Sequence, residues 1–331
     1  MSVDEFSLID EYFAHRQHSR RDVELGIGDD GAILTPAAQH QLVVATDTLV
    51  EGVHFDRTTP PRALGHKVVA VNLSDLAAMG AEPCWLSLAL TLPQIDHDWL
   101  TDFSSGFHEV SRYYGCTLVG GDTTKGPLTI TVTAHGQLPN GRAITRHGAK
   151  AGDWIYLSGN VGDAGLGLAA TQGRVQLPAA HLQRVVEKLH YPHPRVALGQ
   201  SLRGIASAAI DISDGLLADL GHLLQRSQLA ARIDLNELPL SLALTETVDT
   251  DTALRYGLTS GDDYELCFTV PEERRGMLDT ALAHTAVKPI CIGQVIGGRP
   301  GSMQLSLDGQ AWQMPEQRGF NHFGDDHAVS E

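Results

Sequence analysis

The spacing of hydrophobic and polar positions changes repeatedly along the chain, which predicts alternating helices and strands. Phe6, Ile9, Tyr12 and Phe13 recur at helical spacing and predict an amphipathic first helix. Residues 66–79 carry a longer apolar stripe of the same period, which predicts a buried helix. Residues 128–134 instead alternate apolar side chains with threonines, the pattern of a half-buried strand. Short apolar runs at 42–45 and 118–119 predict further strands, and each is followed closely by an aspartate.

The chain turns polar and glycine-bearing over residues 141–153, and a new apolar strand follows at 154–157. With 331 residues and about 150 residues per typical domain, two domains are predicted, at 1–145 and 146–331. The second half carries a helix pattern at 216–227 and strand patterns at 265–270 and near Ile290. Both halves mix helices and strands, so the predicted fold class is α/β plus α+β.

Composition and charge exclude several classes of protein. Hydrophobic residues make up 42% of the chain, enough for a sizeable core. Lys and Arg number 24 against 40 Asp and Glu, a net charge of −16, which argues against nucleic acid as a partner. The four cysteines form no CxxC pair, so neither a disulfide framework nor a zinc site is predicted. The acidic first residues and the short apolar runs predict no signal peptide and no membrane segment, hence a cytoplasmic protein.

Aspartates stand at the ends of apolar runs, where rigid elements would position them. These residues are Asp29, Asp30, Asp47, Asp75, Asp122, Asp211, Asp214, Asp262 and Asp263. Carboxylates that converge to 4 Å repel one another by roughly 1 to 4 kcal/mol per pair, depending on the dielectric. Such a cluster would need cations, and oxygen ligands without Cys or His select Mg²⁺. The alternative is that each aspartate only caps a helix or starts a turn.

Three further features have two interpretations each. His54 follows the Asp47 strand closely and is either a structural or a functional histidine. Residues 158–165, SGNVGDAG, follow a strand and either cradle a phosphate or form a tight turn into a helix. Arg146 is a basic residue in an acidic chain, either a phosphate contact or a surface charge.

The ordered motifs GIGDDGA, TDTLVEGVHF, NLSDLAAMGAEP, GGDTTKGP, GRAITRHGAKAGDWIYLSG, AIDISDGLLADLGHL and SGDDYELCFT resemble those of the thiamine-monophosphate kinase family. This family belongs to the aminoimidazole ribonucleotide synthetase-like superfamily, and the resemblance covers essentially the whole chain. It implies a two-domain fold whose N-terminal α/β metal- and nucleotide-binding domain pairs its sheet across a homodimer, followed by an α+β domain. It also implies transfer of the ATP γ-phosphoryl group to thiamine phosphate, with several Mg²⁺ ions.

The resemblance also implies roles for individual residues. The implied Mg²⁺ ligands are Asp30, Thr46, Asp47, Asp75, Asp122, Asp211 and Asp214. The implied nucleotide-binding residues are Gly121, Asp122, Arg146 and Ser213, and the implied substrate-binding residues are His54, Asp262 and Phe320. Asp262 stands where the family often has Glu, so its arm is shorter. No general base is predicted, because a phosphate monoester with a second pKa near 6 is already mostly ionised at pH 7. A sister ATP-dependent enzyme and a non-catalytic ATP–Mg²⁺ sensor are the alternatives.

Overall fold

The structure, a computed structural model, describes residues 8–14, 20–283 and 285–322. The described residues form two compact units. Unit 1 lies within Met1–Ala143 and His190–Arg203, and unit 2 lies within Ile144–Leu189 and Gly204–Glu331. The sequence predicts two uninterrupted domains, whereas the segment His190–Arg203 is part of unit 1.

Unit 1 is built on a four-stranded sheet. Its elements are β1 (Val23–Leu25), β2 (Ile33–Leu34), β3 (His40–Val50), α1 (Pro61–Ala78), β4 (Glu82–Leu92), α2 (His97–Tyr113), β5 (Thr117–Lys125) and β6 (Thr129–Pro139). The strand order is β3-β6-β4-β5, in which β4 and β5 are parallel and the other neighbours antiparallel. β1 and β2 form a separate antiparallel pair.

Two helix predictions shift at their boundaries. The helix predicted from residue 66 begins five residues earlier, at Pro61, because proline at the first helical position already has a helical φ and needs no N–H partner there. The predicted N-terminal helix is a π-helical turn over Asp10–Ala14, with Tyr12 and Phe13 buried. Phe6, which was part of that pattern, lies outside the described residues.

The four-stranded sheet has one covered and one open face. α1 packs against β3 and β6, and the side chains on that face, such as Leu49 and Val132, are buried. The predicted alternation in β6 is confirmed, since its apolar positions are buried and its threonines are half-buried. The other face carries threonines from several strands together with Leu42 and Val44, which are 51% and 56% exposed.

The segment around α5 (Val196–Ser201) completes unit 1. α5 packs on α1. The Tyr114 hydroxyl donates a hydrogen bond to the carbonyl oxygen of Pro194 at 3.1 Å, and His66 Nε2 lies 2.8 Å from that of Pro192. These bonds join residues 80 and 126 positions apart, so local sequence patterns carry no sign of them.

Unit 2 is built on a seven-stranded mixed sheet of order β13-β12-β9-β11-β7-β10-β8. Its strands are β7 (Trp154–Leu157), β8 (Ala208–Asp211), β9 (Ala230–Asp234), β10 (Leu266–Val270), β11 (Ile290–Ile296), β12 (Met303–Leu307) and β13 (Gln310–Trp312). Its helices are α3 (Asp163–Thr171), α4 (Ala179–His190), α6 (Leu216–Arg226), α7 (Leu242–Thr247), α8 (Thr250–Thr259) and α9 (Arg275–Leu282). Only β9 and β12 pair in parallel among the described strands of this sheet.

The core of unit 2 lies between its sheet and α6. Ile155, Ile210 and Ile292 from the sheet and Leu220 and Leu224 from α6 belong to one buried cluster. β8 ends at Asp211 and α6 begins at Leu216, so the loop 212–215 is held at both ends by buried elements. Across the described part of the chain, every helix is too short or too polar to cross a lipid bilayer.

Candidate functional site

In unit 1, the buried side chain of Asn72 connects the backbone of Asp47 to the helix that carries Asp75. The backbone N–H of Asp47 donates to Asn72 Oδ1 at 3.1 Å. Asn72 is fully buried on α1 and donates from Nδ2 to the carbonyl oxygen of Val68 at 3.0 Å. Asp75 follows Asn72 by one helical turn, on the same face. Asp47 and Asp75 are both half-buried, and Asn72 connects the strand that carries Asp47 to the helix that carries Asp75.

Thr46 and Asp122 lie on the open face of the same sheet. Thr46 Oγ1 is 3.0 Å from Thr133 Oγ1, and the Thr46 side chain is exposed. Asp122 stands in register with Ala89 and, through it, with Thr131 and Thr48. Three strand spacings separate the two ends of that row, about 14 Å. Asp47 belongs to the neighbouring row, whose side chains point to the covered face, so this sheet does not bring Asp47 and Asp122 together.

Two other predicted residues of unit 1 have simple surroundings. Asp30 is exposed in the β1–β2 connection, and its backbone N–H donates to Asp29 Oδ1 at 2.8 Å. Gly121 lies against β4, where a Cβ atom would come within 1.8 Å of the carbonyl oxygen of Leu88. Strand packing therefore requires glycine at this position, whatever else binds there.

His54 lies in the turn that follows β3, and one ring nitrogen is fixed by the backbone. The N–H of Val50 donates to His54 Nδ1 at 3.0 Å, and the N–H of His54 donates to the carbonyl oxygen of Val50 at 3.0 Å. A ring nitrogen that accepts a hydrogen bond carries no proton, so the neutral ring holds its proton on Nε2. His54 is thus arranged as a hydrogen-bond donor through Nε2.

In unit 2, one carboxylate fixes the loop between β8 and α6. Asp219 Oδ2 accepts the backbone N–H groups of Ser213, Asp214 and Gly215 at 3.0, 3.0 and 3.1 Å. Asp219 is 4% exposed. Asp219 is not among the site residues predicted from the sequence. Its position could have identified it, because Asp219 lies in the first turn of a helix that follows an SDG turn. Acids in the first turn of a helix stabilise its N-terminal N–H groups.

The carbonyl oxygens of this loop hold two distant segments. The Asp262 N–H donates to the carbonyl oxygen of Ser213 at 2.8 Å, and the Phe320 N–H donates to that of Asp214 at 2.9 Å. The two predicted substrate-binding residues of unit 2 therefore meet at one loop, next to Asp211. Glycine precedes each of them: a Cβ at Gly261 would lie 2.3 Å from the Ser213 oxygen, and one at Gly319 would lie 2.6 Å from the Asp214 oxygen.

Asp262 has an unusual backbone conformation, and its side chain accepts a hydrogen bond from Tyr264. Asp262 and Tyr264 have φ values of +67° and +49°, in the left-handed region that non-glycine residues rarely occupy. The Tyr264 hydroxyl donates to Asp262 Oδ1 at 3.1 Å, and the Tyr264 N–H donates to the carbonyl oxygen of Ile212 at 2.8 Å. Strain of this kind persists where surrounding structure fixes it, which is common at functional sites.

The acids of this loop repel one another. Burial raises the pKa of Asp214, with a smaller increase from Asp262, while His322, His222 and Arg146 lower it. Burial, followed by the charges of Asp211 and Asp214, raises the pKa of Asp219 to about 8. Arg146 is exposed, yet its charge reaches Asp214.

The donor set fits a hard divalent cation. Unit 2 presents carboxylates that repel each other at one loop, and unit 1 presents Asp47 on β3 and Asp75 on the neighbouring α1. Within residues 8–14, 20–283 and 285–322, no three His, Cys, Asp or Glu side chains are grouped closely enough to ligate a metal by themselves. Mg²⁺ commonly takes one or two carboxylates and fills its other positions with water and substrate phosphates. The pairs present here suit that mode of binding.

The SGNVGDAG segment is a strand-to-helix turn whose N–H groups already have an acceptor. The Gly162 N–H donates to Asp263 Oδ2 at 2.7 Å, and the backbone at Ala164 also bonds to that carboxyl group. The Val161 N–H donates to the carbonyl oxygen of Pro239 at 3.1 Å. A protein carboxylate thus occupies the place where a phosphate would bind. Enclosure raises the pKa of Asp263 well above its ordinary value.

Known proteins resemble this chain over nearly its whole length. The family model described as AIR synthase related protein, N-terminal domain, matches residues 28–138, and the corresponding C-terminal model matches residues 150–306. The thiamine-monophosphate kinase of Escherichia coli K12 is 50% identical over 324 residues, which cover 98% of this chain and 99% of that protein. The predicted two-domain α/β plus α+β fold is confirmed.

Solved structures extend the match to three dimensions. The crystal structure of thiamine-monophosphate kinase from Stenotrophomonas maltophilia K279a is 45% identical, with a TM-score of 0.84, and covers 94% of this chain and 99% of that one. The structure of AaThiL complexed with AMPPCP and TMP is 31% identical, with a TM-score of 0.76 and coverage of 96% and 97%. Identity of this extent over whole chains confirms the resemblance found in the motifs. The chain belongs to the thiamine-monophosphate kinase family, on the fold of the AIR synthase-related proteins.

Proposed function

We propose that this protein transfers the γ-phosphoryl group of ATP to thiamine phosphate and so produces thiamine diphosphate and ADP. The observation that carries this function is the 50% identity to a thiamine-monophosphate kinase along nearly the whole of both chains. The complex of AaThiL with AMPPCP and TMP supports the same pair of substrates. The protein is an enzyme of the phosphotransferase class.

Within this function we assign the Mg²⁺ ligands to six aspartates and one threonine. In unit 1 they are Asp30, Thr46, Asp47, Asp75 and Asp122, and in unit 2 they are Asp211 and Asp214. The mutual repulsion of the acids around the loop 212–215 supports the assignment, because a bound cation would relieve it. Bound Mg²⁺ would neutralise the negative charge of the two phosphate substrates. The residues Gly121, Asp122, Arg146 and Ser213 are assigned to the nucleotide.

Thiamine phosphate is assigned to His54, Asp262 and Phe320. His54 would donate a hydrogen bond from Nε2 to the phosphate, since its Nδ1 is occupied by the N–H of Val50. The attacking phosphate oxygen is already largely ionised at pH 7, given a second pKa near 6. The chain therefore has only to position and shield the reacting groups, and no side chain is assigned as a general base.

The open face of the four-stranded sheet is proposed to pair with the same face of a second copy. Leu42 and Val44 are each more than half exposed on this face, and a homodimer would bury them. In this proposal the domain 1–145 supplies the dimer contact and five of the metal ligands, and the domain 146–331 supplies the other two. The proposed compartment is the cytoplasm, where ATP is supplied.

Product analysis tests the function directly. The purified protein is incubated with ATP, Mg²⁺ and thiamine phosphate, and the products are separated by chromatography, with a chelator added in a parallel sample. Thiamine diphosphate and ADP are expected in equal amounts, and only with Mg²⁺. ATP binding without any product would indicate a sensor, and ADP formation only with another phosphate or amide acceptor would indicate a sister enzyme.

A further inference from the structure

Asp219 lies outside the assigned ligand sets, yet it hydrogen-bonds to three consecutive residues of the loop that carries Ser213 and Asp214. It lies in the first turn of α6, is 4% exposed, and uses a single oxygen, Oδ2, to accept three successive backbone N–H groups. A buried N–H group needs a hydrogen-bond partner, and here one oxygen serves three of them. The loop 213–215 is thus organised around one buried atom.

The same loop carries the site residues of unit 2 on its other side. Its N–H groups point to Asp219, while its carbonyl oxygens accept the N–H groups of Asp262 and Phe320 at 2.8 and 2.9 Å. A shift of the peptide planes at Ser213 and Asp214 would move both acceptors together. The positions of two assigned substrate residues and of the assigned metal ligand Asp214 therefore depend on one loop conformation.

We propose that Asp219 is a positioning residue for phosphoryl transfer, which sets the conformation of the Ser213–Gly215 loop and, through it, the placement of Asp214, Asp262 and Phe320. This inference rests on the proposed function. Asp219 touches no substrate in this scheme and acts only through the three backbone N–H groups. The simpler possibility is that it stabilises the start of α6 and affects folding alone.

The test compares Asp219→Ala and Asp219→Asn with a matched pair, Asp163→Ala and Asp163→Asn. Asp163 is also buried, at 2% exposed, lies in the first turn of α3, and hydrogen-bonds through its carboxyl group to Ser241. Among the residues that the structure describes, its carboxyl group makes no hydrogen bond to the 213–215 loop. For each variant the melting temperature, kcat, the KM for thiamine phosphate and the Mg²⁺ concentration for half-maximal rate are measured. Amide hydrogen exchange is followed at residues 213–215.

For Asp219→Ala, the loop amides are expected to exchange faster, kcat to fall and the KM for thiamine phosphate and the Mg²⁺ requirement to rise. Each hydrogen bond contributes about 1 kcal/mol, so the loss of three makes a combined effect on kcat/KM on the order of 100-fold reasonable. Asp219→Asn keeps an acceptor oxygen in the same place and should recover most of that loss. Asp163→Ala should lower stability to a similar degree, and both Asp163 variants should keep kinetic constants within about twofold of wild type, because their carboxyl group bonds to Ser241 and not to the loop.

The proposal is overturned if folded Asp219→Ala loses stability as Asp163→Ala does while its KM and Mg²⁺ requirement stay at wild-type values. Should Asp219→Ala fail to fold, Asp219→Ser decides, because its shorter side chain cannot reach all three N–H groups. Faster exchange at 213–215 with a rise in KM supports positioning, and faster exchange with wild-type kinetics contradicts it. A wild-type protein that makes no thiamine diphosphate would refute the proposed function. The exchange measurement would still show whether Asp219 holds the loop.

Discussion

At the scale of single residues, one backbone hydrogen bond limits what His54 can do. Its Nδ1 accepts the N–H of Val50, so the ring presents Nε2–H and has no lone pair available at Nδ1 for taking up a proton. Sequence alone left His54 open between a structural and a functional role. The turn geometry now favours a specific function, donation of one hydrogen bond to an anionic oxygen.

We expect His54→Asn to raise the KM for thiamine phosphate by roughly tenfold, the value of one hydrogen bond to a charged group. The pH dependence of kcat should keep its shape, because no proton is transferred by His54. Steady-state kinetics between pH 6 and 9 would check this. His40→Asn is the control, since His40 also bonds to local backbone, at the carbonyl oxygen of Ala38, but has no assigned role. Loss of one limb of the kcat profile in His54→Asn would instead identify a proton-transfer role.

Asp163 is a buried acid whose pKa is raised in the folded protein. Burial raises its pKa, Ser241 and the charges of Lys188 and Arg184 lower it, and Glu265 raises it. In the part of the chain that the structure describes, its Oδ2 has no hydrogen-bond partner. An acid whose pKa is higher in the folded state keeps its proton over a pH range in which the unfolded chain has released it.

The free energy of unfolding should therefore fall as the pH rises from the ordinary value near 3.8 to the raised pKa of Asp163. Asp163→Asn removes this contribution while it preserves the shape of the side chain. We expect the stability of the variant relative to wild type to be higher at pH 8 than at pH 4, as measured by thermal unfolding at both values. Asp249→Asn, an exposed helix cap, should show no such gain. A constant difference between variant and wild type would contradict the assignment.

At the scale of elements, close backbone approaches assemble the unit 2 site. Segments 261–264 and 319–320 reach the β8–α6 loop through N–H groups that need carbonyl partners. Gly261 and Gly319 permit the approach because any side chain there would overlap the loop carbonyls. Backbone hydrogen bonds to one loop therefore connect the segments 261–264 and 319–320.

Gly261→Ala should displace the Asp262 segment from Ser213 and destabilise unit 2 by about 1 to 3 kcal/mol, as overpacking in dense regions does. The KM for thiamine phosphate should rise with it, because Asp262 moves. Gly276→Ala is the matched control: it lies in α9 with no heavy atom within 4 Å of an added Cβ. Alanine is also the better helix former by about 0.5 to 1 kcal/mol. Equal stability of the two variants in chemical denaturation would rule out the steric account.

At the scale of the whole molecule, the open sheet face of unit 1 needs an explanation. One face is covered by helices, whereas the other exposes Leu42 and Val44 among threonines. An isolated apolar residue on a surface is ordinary, but two on neighbouring outward positions of one strand fit a face that pairs with another copy.

Val44→Glu is expected to convert a wild-type dimer into a monomer, because a buried unpaired carboxylate costs several kcal/mol. Light scattering after size-exclusion chromatography measures the mass of each form. Met277→Glu, at a residue 53% exposed on α9 in unit 2, should leave the mass unchanged. A wild-type monomer, or a Val44→Glu variant that remains dimeric, would refute the proposed interface.

Sequence patterns predicted individual elements better than their boundaries and contacts. The β6 alternation, the α6 helix and the strand at 154–157 were predicted from local spacing and are confirmed. The start of α1 was not predicted correctly, because proline usually indicates the end of a helix although it is favourable at the first helical position. The membership of 190–203 in unit 1 depends on tertiary hydrogen bonds to distant carbonyl groups.

The sequence by itself determined the family, the two-domain fold and the chemistry of the reaction, because these depend on which residue types stand at which spacing. The tertiary structure decided which of those residues meet. It bonded the Asp47 backbone to buried Asn72 on the helix that carries Asp75, placed Asp122 on the other face of the sheet from Asp47, and gathered Asp262 and Phe320 on a loop held by Asp219. Such contacts follow from the need of buried N–H and carbonyl groups for partners, and that need is satisfied by whatever segment packing brings near.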